Sequence, residues 1–246
     1  MADPLESIID AHGGMDYWST LTHIDVDMSV RGLLFRSKRV RPLNHVRLTV
    51  DTRSPHTVLH DFPRPGRRAV LHGPRLVEIR DASGALVEAR TDPRGAFADP
   101  RRRRHWDALD FTYFCGYAMW CYLTLPFLLR HPGVLVAKSA GPGGTRMAVT
   151  FPEDIPTHSR TQELHFDVTG RLVRHDYTAE VVGSWARAVH LCRDYRRFGD
   201  LWLPTSRRVY PKGPMNRPLP APTLVAIDIH NAWPRRSPGT PQAGCP

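Results

Sequence analysis

The stretch from Phe151 to Tyr210 leaves this chain little choice of architecture. It reads FPEDIPTHSRTQELHFDVTGRLVRHDYTAEVV and, after a short break, ARAVHLCRDYRRFGDLWLPTSRRVY. Asp167-Val168-Thr169-Gly170 has the form of a hairpin turn between two alternating runs, with Gly170 at the position where a positive φ closes the turn. Gly183-Ser184 marks the next turn. Residues 160 to 210 are therefore expected to form an antiparallel meander.

Polar side chains are threaded through that meander: His158, Gln162, His165, His175, Asp176, Tyr177 and His190. A sheet that only encloses a core does not need so many imidazoles. With Asp167 and Arg171 closing the turn, a regular ladder places Gln162 opposite Asp176, Leu164 opposite Arg174 and Phe166 opposite Leu172, so Gln162 and Asp176 share a face. His175 and Tyr177 then take the other face of their strand. His190 lies on the next strand near Asp176 or Tyr177, and His158, just after Pro156, is placed over the rim. A carboxylate beside an imidazole orients it and raises its basicity. Asp176 and His190 are therefore the candidate general acid–base pair, with Gln162 or a tyrosine hydroxyl to polarise a carbonyl and His158 as a further catalytic candidate. The same residues fit a hydrogen-bonded cluster that only satisfies buried groups, and sequence does not choose between the two.

Composition sets the class. The chain has 246 residues, 41% of them hydrophobic and 24% charged, as in a globular protein with a substantial core. The net charge of +10 suggests nucleic acid as a partner, but only Lys38, Lys138 and Lys212 are lysines; the other basic residues are arginines, accompanied by 23 prolines. The arginines are scattered apart from Arg101 to Arg104, with no basic stripe interleaved by aromatics, so no nucleic-acid partner is expected. Cys115 and Cys121 share an expected helix, Cys192 sits in a strand and Cys245 near the end, without a C-x-x-C pair; this spacing fits buried thiols in a reducing compartment. The opening MADPLESIID is acidic and has neither the basic nor the apolar region of an export signal, so a cytoplasmic location is expected.

Phe111 to Leu129 (FTYFCGYAMWCYLTLPFLL) carries no charge and approaches the length of a membrane span. Gly116, Pro126, two threonines and three tyrosines argue instead for a buried helix from about Trp106 to about Leu125, broken near Pro126, with no stable membrane insertion. Tyr113, Tyr117, Trp120 and Thr124 fall on one face, where rings with polar tips suit either core or the wall of a ligand cavity.

Elsewhere, Leu5 to Ala11 reads as a helix stopped at Gly13-Gly14. Thr22 to Arg31 alternates with Ile24, Val26, Met28 and Val30 on one face. Short strands follow at His45–Val50, Thr57–Phe62, Ala69–His72, Arg75–Arg80 and Ala85–Arg90, then at Val134–Lys138, Met147–Phe151 and Leu224–His230. The fold class is mainly β: a strongly curved antiparallel open half-barrel of about ten or eleven strands wrapped around a long mid-chain helix. Residues 1 to 233 are expected to form one domain and 234 to 246 a disordered tail.

The AHGG…W…L opening, a first strand ending in Arg31-Gly32, the DVTG hairpin followed by LVRHDYTAEV, and the closing GDLWLPTSRRVY together resemble the LolA/LolB lipoprotein-carrier superfamily across most of residues 5 to 230. The likeness is nearest to cytosolic relatives rather than to the carriers, since no signal peptide or lipoprotein cysteine is seen. It implies an open barrel plugged by helices, forming a hydrophobic cup.

Other chemistries lack their patterns. His158, His175 and His190 as a zinc site have no diagnostic spacing, and no metal or other cofactor is expected. There is no G-x-S-x-G elbow. Gly141-Pro142-Gly143-Gly144 joins two strands and precedes no helix. Two functions fit the cup. One is a cofactor-free cyclase, isomerase or dehydratase acting on a polyketide-, terpenoid- or lipid-like molecule. The other is a carrier or sensor of such a molecule. In either case Tyr113, Tyr117, Trp120, Phe166, His175 and Tyr177 are the expected ligand contacts.

Overall fold

The structure is a computed structural model and describes residues 3 to 141 and 143 to 237. Two short helices, α1 (Pro4–Ala11) and α2 (Met15–Thr20), open the chain. They lead into β1 (Leu21–Arg31), α3 (Leu33–Ser37) and the strands β2 (Leu43–Asp51), β3 (His56–His60), β4 (Arg68–His72), β5 (Leu76–Arg80) and β6 (Leu86–Thr91). The helix α4 (Ala108–Thr124) follows, then β7 (Leu135–Gly141), β8 (Gly144–Thr150), β9 (Thr161–Phe166), β10 (Leu172–Thr178), β11 (Arg187–Phe198), β12 (Leu201–Pro211) and β13 (Val225–Arg236).

Among the described residues, 13 strands form one antiparallel sheet, in the order β6-β5-β4-β3-β2-β1-β13-β12-β11-β10-β9-β8-β7. Ten or eleven strands were expected. The short segments read from the sequence as separate strands, β3, β4 and β5 among them, each pair as a strand of their own. The chain lays down one half of the sheet from β1 outward to β6, crosses through α4 to the opposite edge at β7, and returns until β13 pairs with β1. The two edges, β6 and β7, thus flank the helix in sequence, and the sheet stays open.

Helix α4 packs on β2 to β5 and is buried around its whole circumference. Its start is fixed by a reciprocal capping box between Asp107 and Asp110, and both carboxylates are held by Arg90 at 2.6 Å. Proline at position 126 ends it, because the pyrrolidine nitrogen has no proton to continue the ladder. No helix among the described residues is long and apolar enough to cross a membrane. The uncharged segment owes its composition to burial inside the sheet.

Two sequence expectations need correction. The DVTG turn forms as read: Gly170 has φ +82°, and the Asp167 carboxylate accepts from the Thr169 and Arg171 amides. The ladder beyond it, however, is bulged between Leu172 and Arg174. One extra residue there shifts the register, so that His175 pairs with Leu164 and Asp176 with Glu163. The alternation of β10 is inverted past the bulge: His175 and Tyr177 turn into the concave interior with Gln162, and Asp176 faces the other way. The second correction concerns the expected tail. Pro234 to Arg236 continue β13 against β1, where past Asp228 the strand is paired on one side only and proline is tolerated. Residues 238 to 246, including Cys245, lie outside the described residues.

Candidate functional site

Beneath the sheet, β9 to β12 and α4 enclose a buried polar cluster. His158 is at its centre, on the loop before β9. Its Nδ1 lies 3.0 Å from the Tyr117 hydroxyl and its Nε2 lies 2.6 Å from the Tyr122 hydroxyl. Its ring stacks on Tyr177 at 4.0 Å between centroids, and the Tyr177 and Tyr122 hydroxyls are 2.9 Å apart. The rim position expected for His158 is overturned. The loop dips inward because Arg94 grips it from outside through the carbonyls of Thr157 and His158.

Gln162 holds the next imidazole: its Oε1 meets His175 Nε2, and its amide nitrogen donates to the Ser159 carbonyl at 2.7 Å. His190 lies directly across from His175 in the ladder and sits edge-on to Tyr122, 4.5 Å between centroids. Neither ring nitrogen of His190 has a partner among the described residues. Burial pushes all three imidazoles toward the neutral form, His175 down to about 3 and His158 and His190 well below the usual range.

The candidate acid–base pair does not form. Asp176 faces away from His190 and is clamped by Arg174 at 2.6 and 2.7 Å and by Lys212 at 2.8 Å. Burial alone would raise its carboxyl, but the bonds from Arg174 and Lys212 hold it below the usual carboxylate range. The bulge after Leu172 is the physical reason for the separation.

The expected ligand-contact residues are divided. Tyr117, His175 and Tyr177 belong to the cluster. Tyr113 packs against Tyr117 at 5.0 Å and borders a polar cleft. Trp120 is buried, with its indole nitrogen unpartnered among the described residues. Phe166 packs near His12, 6.4 Å between ring centroids, in the apolar core.

Two members of the cluster escaped the sequence reading. Tyr122 lies off the helix face that was singled out. Arg207, only 1% exposed, donates to the Tyr122 carbonyl at 2.9 Å and to Cys192 Sγ at 3.3 Å, and lies 5.1 Å from the centre of the Tyr122 ring. It has no carboxylate partner among the described residues. Its signal was present: Leu203, Thr205, Arg207 and Val209 share the inward face of β12.

Three donors could hold a metal, Glu163, His165 and Asp176, whose ligand atoms lie within 4.8 Å of one another. Arg146, Arg174 and Lys212 already pair with the two carboxylates, so a cation there would compete with three side-chain charges. The three-histidine set has no free geometry of that kind, because tyrosines occupy both nitrogens of His158.

Access from outside comes at one end of the half-barrel. A pocket of about 390 Å³ opens between α3 and the loop after β10. Phe114, Tyr177, Ala188, Val209 and Val225 form its buried floor, and Trp185, 77% exposed, stands at its lip. A small void of about 20 Å³ shares Phe114, Tyr177 and Val225 and extends the apolar path to Tyr122. A second cleft, about 470 Å³, is lined by charged residues that answer one another, with Arg94 on Glu180 and Arg160 on Glu153.

No family model matches the chain, and no curated protein matches it. Among solved structures it is similar to a LolA superfamily protein of Nitrosomonas europaea, at 9% identity and a TM-score of 0.49 over 96% of both chains. It is also similar to a DUF1329 family protein of Desulfovibrio piger, at 13% identity and a TM-score of 0.47 over 98% of this chain and 96% of that one.

Proposed function

We propose that this chain binds an apolar small molecule in the pocket floored by Phe114, Tyr177, Val209 and Val225, and acts as a carrier or sensor of it. The observation that carries this reading is the pocket itself. Its volume of about 390 Å³ falls in the range of small-molecule sites, and its buried lining is apolar apart from the tyrosine ring and Lys38. Binding without chemistry is favoured over catalysis because no acid–base pair faces the pocket. The Tyr177 hydroxyl is turned to Tyr122, His158 is saturated by two tyrosines, and the Asp176 carboxylate is held by Arg174 and Lys212. The cluster below the floor then serves to fix the shape of the cup.

The test uses the neutral probe N-phenyl-1-naphthylamine, with Trp185 at the lip as an intrinsic reporter. Saturable binding is expected, weakened about tenfold or more by Ala186→Trp, which fills the mouth from a half-buried position, with the melting temperature unchanged. Absence of saturable binding by the wild-type protein would overturn the reading.

A further inference from the structure

The lip of this pocket carries cations without anions. None of its lining residues is acidic. Lys38 is 6% exposed, and its Nζ donates to the Arg103 carbonyl at 2.6 Å and lies 5.7 Å from the centre of the Trp106 ring. An ammonium has three protons to donate, and this one has a single acceptor among the described residues. Arg103 and Arg187, both exposed, stand at the same lip. Lys38, Arg103 and Arg187 have no carboxylate within 4.0 Å among the described residues, and Lys212 on the same wall is occupied by Asp176. A cation removed from water without a counter-ion is costly, and burial accordingly holds the Lys38 ammonium below the usual lysine range.

We infer that the occupant is a single-chain amphiphile with an anionic head, its tail on the Phe114–Val209–Val225 floor and its head held by Lys38 between Arg103 and Arg187. This rests on the binding reading above and adds the chemistry of the ligand. The polarity of insertion follows from where the charges lie. Apolar side chains form the deep end of the pocket, and the charges of its lining that lack a carboxylate among the described residues, Lys38, Arg103 and Arg187, lie toward its mouth, so the tail enters first. The head is a carboxylate or a phosphate monoester, both of which a lysine between two arginines accommodates.

Calorimetric titration with four probes of equal chain length tests this: dodecanoate, dodecyl phosphate, dodecan-1-ol and dodecyltrimethylammonium. At least one of the two anions is expected to bind about tenfold or more tightly than both the alcohol and the cation, and the tighter anion names the head. Lys38→Met should erase that preference, weakening the anion about tenfold or more relative to the alcohol. Should Lys38→Met fold poorly, the exposed double variant Arg103→Gln/Arg187→Gln carries the test, through a reduced anion preference and a flatter dependence on salt. Equal affinity for dodecanoate, dodecyl phosphate and dodecan-1-ol would overturn the anionic head while leaving the apolar pocket standing. Failure of all four probes, together with failure of the neutral naphthylamine, would remove both.

Discussion

His158 and His190 are equally buried and differ in bonding, which makes them a matched pair for experiment. Removing His158 leaves the Tyr117 and Tyr122 hydroxyls without its nitrogens, at a cost of about 1–3 kcal/mol for each buried group left unpaired. His190 holds two ring nitrogens out of water with no partner among the described residues, so an apolar replacement loses no hydrogen bond seen there. His158→Phe is therefore expected to lower the melting temperature by several degrees, and His190→Leu to leave it level or raise it. A loss in His190→Leu as large as in His158→Phe would show that His190 makes a contact essential to the fold. The same burial sets the response to acid. His12 and His175 are depressed by desolvation to about 4 and about 3 from an ordinary 6.5, and His158 and His190 lie well below it. Below pH 6.5 the unfolded chain takes up protons that these folded imidazoles refuse. Their contribution is thus full above 6.5 and is lost as the pH falls toward 4, at up to about 1.4 kcal/mol per pH unit for each histidine. Urea denaturation at pH 7 and pH 5 should show a drop of several kcal/mol; equal midpoints would contradict neutral burial.

At the scale of elements, α4 lies unusually near its sheet. A Cβ on Gly116 would stand 2.7 Å from Thr57 Oγ1 and 3.1 Å from Leu71 Cβ, so the glycine is what lets the helix approach β3 and β4. On an exposed helix Gly→Ala stabilises by about 1 kcal/mol. Gly116→Ala is expected to do the opposite here, destabilising by about 1–3 kcal/mol through overpacking, as measured by chemical denaturation. A gain in stability would mean that the helix can retreat. The helix and the strands were legible in sequence because each announces itself locally: an uncharged run ended by proline, the alternation of Ile24, Val26, Met28 and Val30, and aspartate–glycine turns. The candidate site was legible only as a set of residues. Gln162, His175, Tyr177, His158 and His190 do converge, but the partnerships drawn among them failed at the bulge after Leu172. A bulge there carries no sequence mark, since Val173 differs in nothing from a residue in regular pairing. Of the pocket only Tyr177 was legible, because α3 and the ends of four strands meet only in the folded sheet.

The whole molecule depends on one non-local pairing. The last strand returns to the first, Met28 opposite Ile229 and Val30 opposite Ile227, and so joins the half-sheet β1–β6 to the half-sheet β7–β13. The buried side chains of the two halves form one continuous core. Leu71 on β4 reaches α4 from one side, Arg207 on β12 bonds to it from the other, and the cup encloses its helix only when both halves are present. Ile229 is buried among the inward residues of that seam, and Ile229→Ala is expected to cost about 2–5 kcal/mol. That loss should fall on the entire structure at once. The near-ultraviolet dichroism of the buried aromatics and the far-ultraviolet signal of the sheet should move together to a lower melting temperature, in a single transition for both the wild type and the variant. Two separated transitions in Ile229→Ala, one keeping the β1–β6 signal and the other losing the cluster, would show that the halves fold independently and that the seam only docks them.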